Sequence, residues 1–108
     1  MGYVYLLMTV DEHGTEQYKI GQSKYHPNVR MSQLQTGNSN VISVINFYES
    51  YYYKKIEGWL HSKFGGQKTL ADNEWFNLTN EQVGEFVNHC KDAESTIKFL
   101  LAENPFYK

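Results

Sequence analysis

Tyr3-Val4-Tyr5-Leu6-Leu7-Met8-Thr9-Val10, followed after Asp11-Glu12-His13-Gly14 by a second run from Glu16 to Gly21, is the stretch whose reading decides the fold. The first run is dense in aromatic and β-branched residues, which suit a pleated strand, and the second regains that character after a turn sequence closed by glycine. Together they predict a β-hairpin. Side chains alternate across a strand, so Tyr3 and Tyr5 share one face, while Tyr18 and Ile20 share the face opposite Lys19.

Working outward from the hairpin, Pro27 suits a first helical position and Gly37 a C-terminal stop, which predicts a helix over 27–36 carrying Arg30. Val41 to Tyr48 reads as a strand, and its two β-branched pairs suggest one covered on both faces. Ser50 can cap a helix over 51–64, whose residues Tyr52, Ile56, Trp59, Leu60 and Phe64 follow helical spacing and which Gly65-Gly66 ends. Glu57 and His61 project from one side of it. Glu74 to Leu78 resembles a short strand, and Thr79 with Gln82 forms a capping box. The helix it opens is expected to run to Lys91 with Val83, Phe86, Val87 and Cys90 on one face. A last helix over 95–102 should bury Ile97, Leu100 and Leu101, with Pro105 ending the pattern. No repeat and no long linker divides the chain, so the order implies one small α/β sheet layered with helices.

Composition sets bounds. The 108 residues are 41% hydrophobic and 16% aromatic with a formal charge of −2. Disorder, collagen and coiled-coil readings fail on those figures. No apolar run nears the roughly 20 residues of a membrane span, and Met1-Gly2-Tyr3 does not begin a secretory signal, so the expected location is the cytoplasm. The lone Cys90 sits in an apolar periodic pattern and reads as a small buried hydrophobe. Charge is uneven: residues 1–68 are net +2 and residues 69–108 net −4. A polyanion should therefore favour the first two thirds, though with modest, salt-sensitive affinity.

Three features together suggest chemistry. The first two strands present tyrosines and a lysine, one helix presents Arg30, and another presents Glu57 with His61 one turn on. Tyrosine can accept a proton or orient water, arginine can grip a phosphate, and glutamate can hold a magnesium ion that polarises a phosphodiester. Each also has a plainer reading. Tyr3 and Tyr5 can simply pack a strand face, Arg30 can be a solvated helix residue, and Glu57 and His61 can be a surface pair.

What links these residues is their order. Tyr3-Val4-Tyr5, Tyr18-Lys19-Ile20-Gly21-Gln22-Ser23, Arg30 to Asn38, Glu57 to Phe64 and Glu74-Trp75-Phe76 resemble the GIY-YIG nuclease superfamily. The likeness is closest to a small phage and bacterial branch that also occurs in meiotically up-regulated fungal proteins, and it covers residues 2–78. Residues 79–108 form a helical extension within the same single domain. The resemblance implies a three-stranded antiparallel sheet flanked by helices. It implies Tyr5 as general base or water-orienting hydroxyl, Gly21 as the glycine of the second motif, Arg30 as the phosphate-stabilising cation and Glu57 as the metal ligand. His61 would orient water or a phosphate, and Tyr3, Tyr18, Gly21 and Ser23 would line the substrate side. Asn73 or Asn77 would supply a late asparagine. Tyr3 stands where the family has glycine, and Lys19 where it has its second tyrosine. A one-residue shift reverses the strand face, so Tyr18 and Lys19 cannot both replace that tyrosine. Lys19 could lower the pKa of Tyr5 or contact the phosphate.

The resemblance thus implies a DNA endonuclease using one Mg²⁺ or Mn²⁺ ion, with Glu57 as its metal ligand. The rival expectation is a catalytically weak or inactive module that binds nucleic acid or a protein. A chain without a separate DNA-recognition domain implies weak sequence specificity, a protein partner or a homodimer. Tyr51-Tyr52-Tyr53 is the best pointer to a protein-interaction role, although the run also fits a split between a buried helix face and the rim of the site.

Overall fold

The computed structural model describes residues 1–36, 41–67 and 75–103. Expectations for Gly37, Asn38, Asn73, Glu74 and Pro105 fall outside these residues. The chain is an α/β domain. The expected hairpin is formed by β1 (Gly2–Val10) and β2 (Glu16–Ser23), followed by α1 (Pro27–Thr36), β3 (Ile42–Ser50) and α2 (Tyr53–Lys63). A 3₁₀ turn (Gly65–Gln67), α3 (Asn80–Gly84) and α4 (Phe86–Glu103) complete it. The three strands form an antiparallel sheet in the order β2-β1-β3. The hairpin turn is held by Asp11, whose Oδ1 accepts the N–H groups of His13 and Thr15, both at 2.9 Å, and by Gly14 at φ 81°.

Central strand β1 separates two layers. On one face Val4 and Leu6, with Tyr18 and Ile20 of β2, are sealed by Ile56, Leu60 and Phe64 and by Phe86, Cys90, Ala93 and Ile97 of α4. On the other, Tyr5 and Leu7 pack with Ile42, Trp75 and the half-buried Met31 and Val44. Cys90 has no exposed surface, and burial, followed by the charge of Glu94, pushes its thiol up to about 12. It is the small hydrophobe its pattern implies.

β3 is not covered on both faces. It is an edge strand, with Ile45 and Phe47 about 40% exposed. Its irregular apolar pattern has another cause: the register shifts between Leu6, paired with Asn46, and Leu7, paired with Val44, leaving Ile45 as an extra residue. This β-bulge reverses the alternation, so Phe47 and Glu49 before the shift face the same way as Val44 and Ile42 beyond it.

The predicted strand over 74–78 is, in its described part, a single bridge in which Phe76 and Tyr18 exchange backbone hydrogen bonds of 2.9 and 2.7 Å. The capping box forms as expected: Thr79 Oγ1 accepts from the Gln82 N–H, and Gln82 Oε1 accepts from the Thr79 N–H. The helix it opens stops early, however. Gly84, the poorest non-proline helix former, closes α3, and α4 then runs unbroken through 91–95, where two separate helices were expected. Ile97 is buried as predicted, while Leu100 and Leu101 are only half-buried. Ser50 does not immediately precede α2 but serves it from two residues before Tyr52, accepting the Tyr52 N–H at 3.0 Å. Its hydroxyl also donates to Glu94, which accepts the Tyr48 hydroxyl at 2.9 Å and lies 3.6 Å from Lys98, tying β3 to α4. Tyr52 and Tyr53 pack against the core while Tyr51 is exposed. Among the described residues no helix is long and apolar enough to cross a membrane.

Candidate functional site

Strand register sorts the candidates. Tyr3 pairs with Ser23, Tyr5 with Gly21 and Leu7 with Lys19, and directly paired residues project from the same face. Tyr3, Tyr5, Lys19, Gly21 and Ser23 therefore share one face. Tyr18 lies on the other, only 4% exposed within the α2–α4 core, with its hydroxyl donating to Glu16 Oε2 at 2.7 Å. Burial, then the Glu16 hydrogen bond and charge, push its phenol up to about 12. Of Tyr18 and Lys19, Lys19 is the one that shares the Tyr5 face.

Tyr5 and Gly21 are mutually fitted. The phenol ring leans from β1 across β2, and a Cβ added at Gly21 would lie 2.6 Å from Tyr5 Cε1, well inside van der Waals contact. Glycine is required here by close approach, since its backbone conformation is ordinary. Tyr5 is 2% exposed and Lys19 9%, and the Lys19 ammonium stands 5.8 Å from the Trp75 ring centroid. Trp75 joins Tyr5 in the same apolar cluster, so it closes this part of the face.

Glu57 and His61 reach β2 from its free edge. β2 is the outer strand, and the backbone groups of Tyr18 and Ile20 point outward, those of Tyr18 to Phe76. The Ile20 carbonyl accepts from His61 Nε2 at 2.6 Å, and a carbonyl can only accept, so Nε2 carries the proton. The His61 ring packs edge-on against Phe76, and Nε2 lies 3.5 Å from Glu57 Oε1. Both side chains keep some contact with solvent, 29% for His61 and 25% for Glu57. Thus β2 is the common element: Lys19 and Gly21 meet Tyr5 on its face, and Ile20 anchors the Glu57–His61 pair at its edge.

Arg30 is half-buried on α1, where Nη1 donates to Gln33 Oε1 at 3.3 Å. Met31 seats α1 on the Tyr5 face. Ser23 accepts the Tyr25 N–H at 3.0 Å and so begins the loop to α1. The Tyr3 hydroxyl hydrogen-bonds Glu49, and that bond, then desolvation and the carboxylate charge, raise its pKa. Four neighbours of the site carried no expectation from the sequence: the Ile20 carbonyl, Trp75 as a cover, and the rings of His26 and Phe47 beside Tyr3. Only Trp75 had a signal, in Glu74-Trp75-Phe76.

The profile of the T5orf172 domain matches residues 2–91, most of the chain and nearly all of the elements just described. The chain belongs to the T5orf172 domain family. Membership points to a nuclease-like or DNA-binding module. No curated protein and no solved structure matches the chain. The T5orf172 match extends past Leu78 through α3 and into the start of α4, so the matched unit includes the beginning of the C-terminal helices.

Proposed function

We propose that this T5orf172 domain is a metal-dependent DNA endonuclease of the GIY-YIG kind. The observation that carries the reading is the convergence on β2, where Tyr5 lies across Gly21 beside Lys19 and the Glu57–His61 pair is anchored at the adjoining edge. Among the described residues no three His, Cys, Asp or Glu side chains cluster as a metal cage. A single accessible carboxylate nevertheless fits Mg²⁺, which keeps several waters and completes its shell with substrate phosphate oxygens. Glu57 would hold that ion, and when bound it would supply Lewis-acid stabilisation of charge on the phosphate. His61, held by its Nε2–H on the Ile20 carbonyl and 3.5 Å from Glu57, would orient the attacking water or a phosphate oxygen beside that ion. Tyr5 would orient or deprotonate the attacking water, Lys19 would bias its hydroxyl toward the ionised form, and Arg30 would offset negative charge developing on the phosphate.

The near-complete burial of Tyr5 and Lys19 favours a second reading, a module that binds nucleic acid without cutting it. Plasmid nicking by the purified chain separates the two. The endonuclease reading expects nicks in Mg²⁺, none in EDTA, and a loss of at least about a hundredfold in Glu57→Ala. DNA binding that weakens with salt and is never followed by cleavage would establish the silent module instead.

A further inference from the structure

Beside Tyr5, on the side away from β2, lies a group of rings of which Tyr3 alone has a role above, as a residue lining the substrate side. Phe47 pairs directly with Tyr5 across β1 and β3, and Tyr3 is the next residue along β1 on the same face. The Tyr3, His26 and Phe47 rings touch pairwise, with centroids 5.5, 5.9 and 5.0 Å apart. His26 is held in place: its Nδ1 accepts the Asn28 N–H at 3.2 Å and its carbonyl accepts the Val29 N–H, so it also starts α1. Yet the group is open, with His26 exposed and Phe47 41% exposed on an edge strand.

We propose that Tyr3, His26 and Phe47 form a stacking platform for an unpaired nucleobase, so that the substrate class of this site is single-stranded or locally unpaired DNA. The inference rests on the nucleic-acid reading above. Exposed aromatic rings are what unpaired bases stack on, since every base has a π-face and stacking is tolerant of sequence. The charges around the rings divide the nucleotide. Glu49, beside Tyr3, repels a phosphate from the platform, whereas Lys19 lies on the Tyr5 face of β2, with Lys24 and Arg30 following in the loop and in α1. Because the Tyr5 hydroxyl lies over Gly21, a phosphate there and a base on Phe47 would be about two strand spacings apart, roughly 10 Å, a span that neighbouring nucleotides of an unpaired strand can bridge. A base inside a duplex cannot present its face to Phe47, so the duplex must fray or the strand must be single.

The test is binding in EDTA, where no cutting occurs, of a short single-stranded DNA carrying 2-aminopurine, with the matched duplex in parallel. The parent chain should quench 2-aminopurine fluorescence on the single strand. Phe47→Ala should abolish the quench and weaken single-strand binding about tenfold, with duplex binding unchanged. Phe47→Trp should restore both. Thermal melts and circular dichroism of each variant check that the fold is retained. If Phe47→Ala binds and quenches like the parent, the platform is wrong, whatever cleavage shows. Nicking in Mg²⁺ without any single-strand quench overturns the platform and leaves the endonuclease standing. Quench lost in Phe47→Ala with no cleavage of any DNA supports the platform and rejects the endonuclease. A chain that neither binds nor cuts DNA overturns both.

Discussion

The two faces of β1 are made from alternate residues of one strand, yet they do different work. Val4 and Leu6 lie in a closed hydrocarbon layer under α2 and α4, with no exposed surface. Tyr3 and Tyr5, with their partners Ser23 and Gly21 and with Lys19 further along β2, lie on a face only partly covered, by α1 and Trp75. The closed face supplies stability, and the partly open face holds polar groups, a tight glycine contact and exposed rings that a stability-driven design would avoid. Strand alternation lets one short segment do both, because a change on one face need not disturb the other.

The largest stability effect should separate the faces. Leu6→Ala removes a fully buried side chain and should cost about 2–5 kcal/mol in urea unfolding, whereas Phe47→Ala on the open edge should cost about 1 kcal/mol or less. Similar losses for the two would break the comparison.

Two glycines sharpen it. Gly21→Ala forces a methyl into the Tyr5 ring and should cost about 1–3 kcal/mol, while Gly58→Ala, in a helix with open space at its Cβ, should stabilise by about 0.5–1 kcal/mol. Thermal melts of both variants check the opposite signs.

A smaller effect concerns the clasp between β3 and α4. Burial alone would raise the Glu94 carboxyl, but hydrogen bonds from Ser50 and Tyr48, with the charge and hydrogen bond of Lys98, outweigh it and hold the pKa below its ordinary value of 4.5. A carboxylate depressed in the folded state contributes stability that is present above the unfolded pKa and is lost as pH falls through the folded one. Glu94→Gln should therefore lose stability at neutral pH and show a shallower fall below about pH 4.5 than the parent, as read by melts across pH.

Much of this was legible from residue pattern. The hairpin, α1 from Pro27, the Thr79–Gln82 capping box and the burial of Cys90 follow from local rules, and local rules suffice because those features are set within a few residues. The β3 bulge was not legible, because an extra Ile45 is defined only against its partner strand. The break at Gly84 was missed for a related reason: glycine weakens a helix anywhere, and only packing decides where it stops. Of the site, sequence order lined up Tyr5, Lys19, Gly21, Glu57 and His61, but also set Tyr18 on the substrate side. Register puts Tyr18 on the opposite face from Tyr5 and Lys19, and register is a long-range property. The ring group of Tyr3, His26 and Phe47 draws on three separated segments and had no signal along the chain.

The most direct test compares the two faces through their tyrosines. Single-turnover cleavage of one DNA substrate in Mg²⁺ should be measured for Tyr5→Phe and Tyr18→Phe, with melts confirming that both variants fold. Each removes one hydroxyl, one at the candidate site and one on the α2–α4 side, where the core residue Tyr18 donates to the exposed Glu16. Tyr5→Phe should slow cleavage by about a hundredfold or more, while Tyr18→Phe should cleave at nearly the parent rate. Equal cleavage by Tyr5→Phe and the parent, or a collapse in Tyr18→Phe alone, would contradict this assignment.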